Sequence, residues 1–189
     1  MAYPSYKTKE GLTIYKIPAK HISYGGTRAL ENVRYIVIHY TGNAGDTAIG
    51  NCNYFKNSNA RAAGAHFFVD ASGTTARSID MHRTAWSVGG FFTKCAGAGK
   101  YYKKCLNSNS VSIELCNYTR GYLTGKQLAS LIKLIKYIRR KCPNAKYIIR
   151  HWDVNGKGCP AAMVGTNNKN WKTLKKDLKA AGIKGVKFG

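Results

Sequence analysis

The sequence predicts an α/β domain, on three observations. Two short β-branched runs, Val33–His39 and Tyr147–Ile149, are almost continuously apolar, the pattern of strands buried on both faces. Leu128, Leu131, Ile132, Ile135 and Ile138 repeat at i, i+3, i+4 spacing, the stripe of an amphipathic helix. No internal repeat or linker-like stretch divides the 189 residues, a length suited to one domain with a real core.

The elements follow in order. Leu12–Ile17 reads as a short strand and Ser23–Arg28 as a turn. After the strand at 33–39, Thr41–Asp46 is a loop whose Asp46 is placed to N-cap a helix. That helix carries Ile49, Cys52, Tyr54 and Phe55 and runs to about Asn59. Ala65–Asp70 is a second strand, and Thr74–Ile79 returns as the other arm of a hairpin. Residues 80–109, rich in glycine and aromatics, form a long loop suited to a groove wall. Ser110–Cys116 is a strand. Thr124–Gln127 has the form of a capping box and opens the helix that reaches Cys142-Pro143. A strand at 146–150 precedes a second, basic amphipathic helix over Asn170–Leu178, ended near Gly182. One domain over 1–182 is expected, its core at about 30–180, with 183–189 a tail or the start of a linker.

Charge is the unusual quantity: 31 basic against 8 acidic residues, a formal +23. It is silent on fold and predicts attraction to polyanions, whether nucleic acid, anionic lipid or the teichoic acids of a bacterial wall. Nucleic acid is the weakest of these, because the basic residues are scattered and no recognition motif accompanies them. The first ten residues lack the apolar core of a signal peptide, and no apolar run approaches the roughly 18–20 residues of a membrane span. Synthesis and retention in a cytosol are therefore expected, unless something releases the protein. The six cysteines do not form a small-scaffold disulfide framework. Cys52, Cys116 and Cys142 read as core residues, while Cys95 and Cys105 bracket a loop and could pair under oxidising conditions. A monomer is expected.

The chemistry gathers at strand ends. His39 closes one strand and His151 another, and a loop through Gly156 and Gly158 returns to Cys159-Pro160. Imidazole and thiolate are good zinc ligands, and three of them leave a fourth tetrahedral position for water, the catalytic pattern. Taken singly, a strand-end histidine is more often a surface residue and a lone cysteine a core one; the set carries the argument. Glu114 lies among Val111, Ile113, Leu115 and Cys116, where a carboxylate is costly unless paired or working. It also shares parity with Ser110 and Ser112, so a solvent-facing position competes evenly. Beside a zinc-bound water it could take a proton and pass it to a leaving amine. Lys157, two residues from Cys159, could stabilise an oxyanion or be one of many surface lysines.

These residues, with Ala65-His66-Phe-Phe-Val-Asp70, Ala85-Trp86 and Ser112-Ile-Glu114, carry a resemblance. With His151-x-Asp153-Val-x-x-x-Lys157-x-Cys159-Pro160, the chain resembles the zinc-dependent N-acetylmuramoyl-L-alanine amidases over about residues 30–180. These type 2 amidases are related to peptidoglycan recognition proteins and common among phage endolysins. The resemblance implies a central mixed β-sheet flanked by helices, with zinc at the floor of an open groove. It implies that His39, His151 and Cys159 hold zinc, that Glu114 is the acidic residue near it and that Lys157 assists. It implies a bacteriolytic peptidoglycan hydrolase that cuts between N-acetylmuramic acid and L-alanine after release at host lysis. Tyr40, His66 and Trp86 are the expected substrate-binding residues, and anionic wall polymers a second partner. The chain departs from the family pattern at Ala65, where some members carry tyrosine, at Ser87 and Ala161, and in an apparent insertion at Phe91–Asn107. The alternative is a recognition module that binds peptidoglycan without cutting it; such proteins typically lack the cysteine ligand, so Cys159 argues for catalysis.

Overall fold

The computed structural model describes residues 3–93, 99–116 and 121–189. An eight-stranded sheet runs through its middle, in the order β1 (Ser5–Lys7), β2 (Thr13–Lys16), β6 (Thr75–Arg77), β5 (Phe67–Val69), β8 (Ser110–Leu115), β4 (Tyr35–Tyr40), β9 (Tyr147–Arg150) and β10 (Lys187–Phe188). The central neighbours β5, β8, β4 and β9 are parallel, as are β2 with β6 and β9 with β10. The pairs β1–β2 and β5–β6 are antiparallel, so the sheet is mixed. β3 (Tyr24–Thr27) and β7 (Arg83–Ala85) form a separate two-stranded ribbon.

Helices cover both faces, and strand parity decides what each meets. Ile36, Ile38, Val111, Ile113 and Ile148 share one face with Leu131, Leu134, Ile135 and Ile138 of α2 (Gly125–Lys141) and Trp171, Leu174 and Leu178 of α4 (Asn168–Ala180). Burial of each such aliphatic side chain contributes about 1.5–3 kcal/mol, so this layer is the main source of stability. The opposite face is split. Ala48 and Cys52 of α1 (Ala48–Asn57) pack on Phe68 and Cys116, while Val37 and Ile149 pack with Val88, Tyr101 and Val154. Between these two clusters the second face opens, and the polar residues of the strand ends emerge there.

Several expectations are corrected. Ser23–Arg28 is not simply a turn, because Tyr24–Thr27 pairs with β7, itself inside the stretch expected as loop. Thr47, not Asp46, caps α1: its side chain accepts from the Gly50 amide, while Asp46 accepts from the Asn51 side chain. At α2 only half of a capping box forms. Thr124 accepts from the Gln127 amide, but the Gln127 side chain donates instead to the carbonyls of Val69 and Cys116, tying the helix to two strand ends. Residues 183–189 are not a free tail. Ile183 is buried, Lys187–Phe188 pair with β9, and Trp171 Nε1 donates to the Gly189 carbonyl. Cys52, Cys116 and Cys142 are buried as expected. The suggested Cys95–Cys105 pairing falls on a residue outside those described.

Candidate metal centre and groove

His39 and His151 arrive from adjacent strands. β4 ends just past His39, and β9 hands over at Arg150 to a short helix, α3 (His151–Asn155), rather than to a loop. Asp153 fixes that transition: its carboxylate accepts from the Arg150 amide at 2.7 Å and from the Arg150 guanidinium at 2.7 and 3.0 Å. The same guanidinium donates to the Met163 carbonyl and Asn168, and lies over the rings of Trp152 and Trp171. After α3 the chain reverses at Gly156, whose φ of +81° and proximity to the Thr93 carbonyl leave no room for a Cβ. The Trp152 amide then donates to the Cys159 carbonyl and seats the returning loop.

One nitrogen or sulfur of each of His39, His151 and Cys159 lies within 4.8 Å of the others, and all three residues are buried. The two imidazoles meet edge to face with centroids 4.7 Å apart, and Cys159 Sγ is 3.8 Å from His39 Nδ1. Among the described residues, His39 Nε2 and both ring nitrogens of His151 have no hydrogen-bond partner. Buried polar atoms left unsatisfied are costly, and three on converging side chains fit a metal ion better than a packed core. Burial, then the repulsion of His151 and of Lys157, holds His39 well below the ordinary histidine range; burial with Lys157 lowers His151 to about 4. Both imidazoles are thus neutral, the form that coordinates.

Glu114 and Lys157 flank this cluster. Glu114 is the register partner of His39 in the parallel β4–β8 ladder, and one of its carboxylate oxygens is buried with no partner among the described residues. Burial pushes its pKa up to about 7, against the pull of Lys157 and with the help of Asp46. Its parity with Ser110 and Ser112 does not mark a solvent face. Both serines are fully buried, Ser112 against His66 and Ser110 against the Leu106 carbonyl and Arg28.

The cluster opens into a groove made of two adjoining hollows of about 490 and 730 Å³. The first holds His39, His151, Cys159 and Trp86; the second runs along α1 past Asp46, Asn51 and Arg61. Tyr40, Phe55, Glu114 and Lys157 line both, so the groove passes directly over the carboxylate. Trp86 is positioned by Gly25, where a Cβ would fall 2.5 Å from its ring carbons. Phe55, Arg61 and Asn107 belong to this lining and escaped the sequence reading. Asn107 bonds the amides of Ser87 and Val88, a contact that no local pattern announces.

His66 is the exception among the expected substrate-binding residues. It is fully buried beneath the groove and lines neither hollow. The Ser112 amide donates to its Nδ1 at 3.1 Å, leaving Nε2 to face the Arg83 carbonyl at 3.1 Å and the Arg28 guanidinium at 2.9 Å. Burial, then Arg28, lowers its pKa to about 3. It is a structural crosslink between strands, held neutral.

Comparison with known proteins agrees with this geometry. A family model described as N-acetylmuramoyl-L-alanine amidase matches residues 29–162, more than two thirds of the chain. The amidase CwlL of Bacillus licheniformis is 27% identical over 145 residues, covering 74% of this chain and 39% of its own length. The amidase BlyA of Bacillus subtilis is 26% identical over 171 residues, 87% of this chain and 46% of its own. The chain thus spans less than half the length of these curated relatives. A mutant endolysin from Bacillus subtilis has the same fold at TM-score 0.64 and 22% identity, over 88% of this chain and 99% of that one. The endolysin amidase LysCS from Clostridium intestinale does so at TM-score 0.60 and 21% identity, over 97% and 100%. The matched span contains His39, Glu114, His151, Lys157 and Cys159 alike, and the chain belongs to the N-acetylmuramoyl-L-alanine amidase family.

Proposed function

We propose that the chain hydrolyses the amide between N-acetylmuramic acid and L-alanine in bacterial peptidoglycan, acting as the catalytic part of an endolysin. The observation that carries this reading is the convergence of three buried, metal-suited side chains beside an unpartnered carboxylate, on the floor of an open groove. Two imidazoles and one thiolate suit zinc, which when bound supplies Lewis acidity, polarising an amide carbonyl and acidifying water. Glu114 takes the proton of the attacking water and returns it to the departing amine of L-alanine; burial, which raises its pKa, favours holding that proton between the two steps. Lys157, exposed where the hollows meet, carries the positive charge that stabilises the oxyanion developing on the carbonyl oxygen. Tyr40 and Trp86 offer ring faces and edges along which a sugar or peptide can lie.

A digest of purified wall tests this, with free amino groups and reducing sugars followed separately. New N-terminal L-alanine without new reducing ends, abolished by a chelator and restored by zinc, is the expected outcome. Wall binding with no bond cut would instead support the recognition-module alternative.

A further inference from the structure

A separate hollow, of about 700 Å³, lies away from the groove and shares no lining residue with it. Its position follows from strand parity. Tyr35, Val37 and His39 point to one face of β4, and Tyr147 and Ile149 share that face on β9, leading to His151. Tyr35 and Tyr147 stand at the opposite end of these parallel strands from the histidines, four residues or about 13 Å away. The hydrophobic cluster of Val37, Val88, Ile149 and Val154 separates the two sites.

The chemistry of this hollow is one-sided. Lys100 and Lys104 enter from the insertion, Lys175 and Lys179 from α4, and Lys187 from β10. No aspartate or glutamate is among the described residues that line it. Lys175 donates to a backbone oxygen of Gly189 at 3.3 Å and is attracted by the Asp153 carboxylate, while none of the other four forms an ion pair among the described residues. Like charges gathered around one concavity repel, and a polyanion relieves that cost. The floor is a triad of tyrosines, Tyr35, Tyr101 and Tyr147, with ring centroids 5.0, 5.7 and 5.8 Å apart.

We infer that this hollow binds a linear polyol-phosphate polymer of the bacterial wall, its lysines meeting successive phosphodiesters. The choice over nucleic acid rests on the rings. Single-stranded nucleic acid needs free aromatic faces for base stacking. Here the tyrosines pack against one another, and Lys100 and Lys187 lie over Tyr101 and Tyr147 at 5.5 and 5.8 Å. What remains is a cationic cleft that counts phosphates and reads no bases. The expectation that such a polymer lies beside the substrate rests on the amidase reading; the binding itself does not. The insertion thereby acquires a role, supplying Lys100, Tyr101 and Lys104 to a site that tethers the domain to the wall while the groove on the same sheet face faces peptidoglycan.

The test compares the intact chain with two variants of equal charge. One replaces Lys100, Lys104, Lys179 and Lys187 by alanine; the other replaces the exposed Lys7, Lys9, Lys126 and Lys136, all outside the hollow. Binding to poly(glycerol phosphate) and to a single-stranded oligonucleotide of equal charge is measured by calorimetry at fixed salt. The hollow variant is expected to lose at least tenfold in affinity for poly(glycerol phosphate), the control variant less than about threefold, and the oligonucleotide to bind more weakly than the polyol phosphate. Equal losses in both variants, or an oligonucleotide that binds more tightly through the same four lysines, would overturn the inference. Cleavage of a soluble muramoyl peptide, which lacks the polymer, is measured in parallel and is expected to be the same in all three proteins. Absence of cleavage in all three would contradict the amidase reading and leave the binding result standing.

Discussion

Glu114 and His39 sit side by side in the central parallel ladder, register partners on β8 and β4. A carboxylate is therefore held beside the metal-suited cluster by backbone pairing, not by a mobile loop. Glu114→Gln keeps the shape and removes the proposed base. Hydrolysis of muramoyl peptide is expected to fall by about 10²–10⁴-fold, with zinc content per chain unchanged by elemental analysis. Loss of zinc together with activity would place Glu114 among the ligands instead.

Zinc is expected to stabilise the fold through the same three side chains. A ligand that binds only the native state at about 100 times its Kd adds roughly 2.7 kcal/mol. Zinc should thus raise the melting temperature of the chelator-treated protein by several degrees, and raise that of Cys159→Ser and His151→Ala much less. An equal rise in all three would locate the metal elsewhere.

Gly25 leaves the space that the Trp86 ring occupies. Gly25→Ala is expected to push the ring aside without reaching the metal cluster, raising KM several-fold while zinc content stays the same. Trp86→Ala should reproduce the effect, and the double variant should be no worse than either alone.

Arg150 and Asp153 form a buried ion pair at 2.7 Å immediately before and within the turn of α3 that carries His151. Removing one partner strands a buried charge, at a cost of about 3–5 kcal/mol. Asp153→Ala is expected to lower the denaturation midpoint accordingly and to weaken zinc binding, because the start of α3 loses its anchor.

His66 gives stability a pH dependence. Its folded pKa is depressed to about 3 against an ordinary 6.5, so above 6.5 both folded and unfolded forms are neutral and its contribution is complete. As pH falls from 6.5 towards 3, the unfolded chain takes up a proton that the folded one refuses. Stability then drops by up to about 1.4 kcal/mol per pH unit from this residue. His66→Gln should be less stable than wild type at pH 7, and the gap should narrow as denaturation is repeated towards pH 4. A gap that stays constant would mean that His66 protonates in the folded state without penalty.

The metal cluster was legible because each ligand follows a local signal, an apolar strand that ends in histidine or a glycine-rich return, although His39 lies far from the other two in sequence. His39 and His151 each lie at the C-terminal end of an apolar strand inside the sheet, and a glycine-rich return brings Cys159 back beside His151. Glu114 was only half legible: polar alternation on β8 looks like a solvent face until β5 and β4 are seen on either side of it. Ser112 is buried because His66 satisfies it, and Ser110 because it donates to the Leu106 carbonyl. His66 misled for the same reason, since the pairing that removes it from the groove comes from Arg28, Arg83 and Ser112, far away in sequence. The tail misled because two residues of strand are too short to show a period, yet β9 offered them an open edge.

The most direct measurement is mass analysis of the products from a defined N-acetylmuramoyl peptide incubated with the zinc-loaded protein. Free N-acetylmuramic acid and a peptide with an L-alanine N-terminus are the predicted products, absent with Cys159→Ser. Intact substrate, or cleavage within the peptide, would contradict the account.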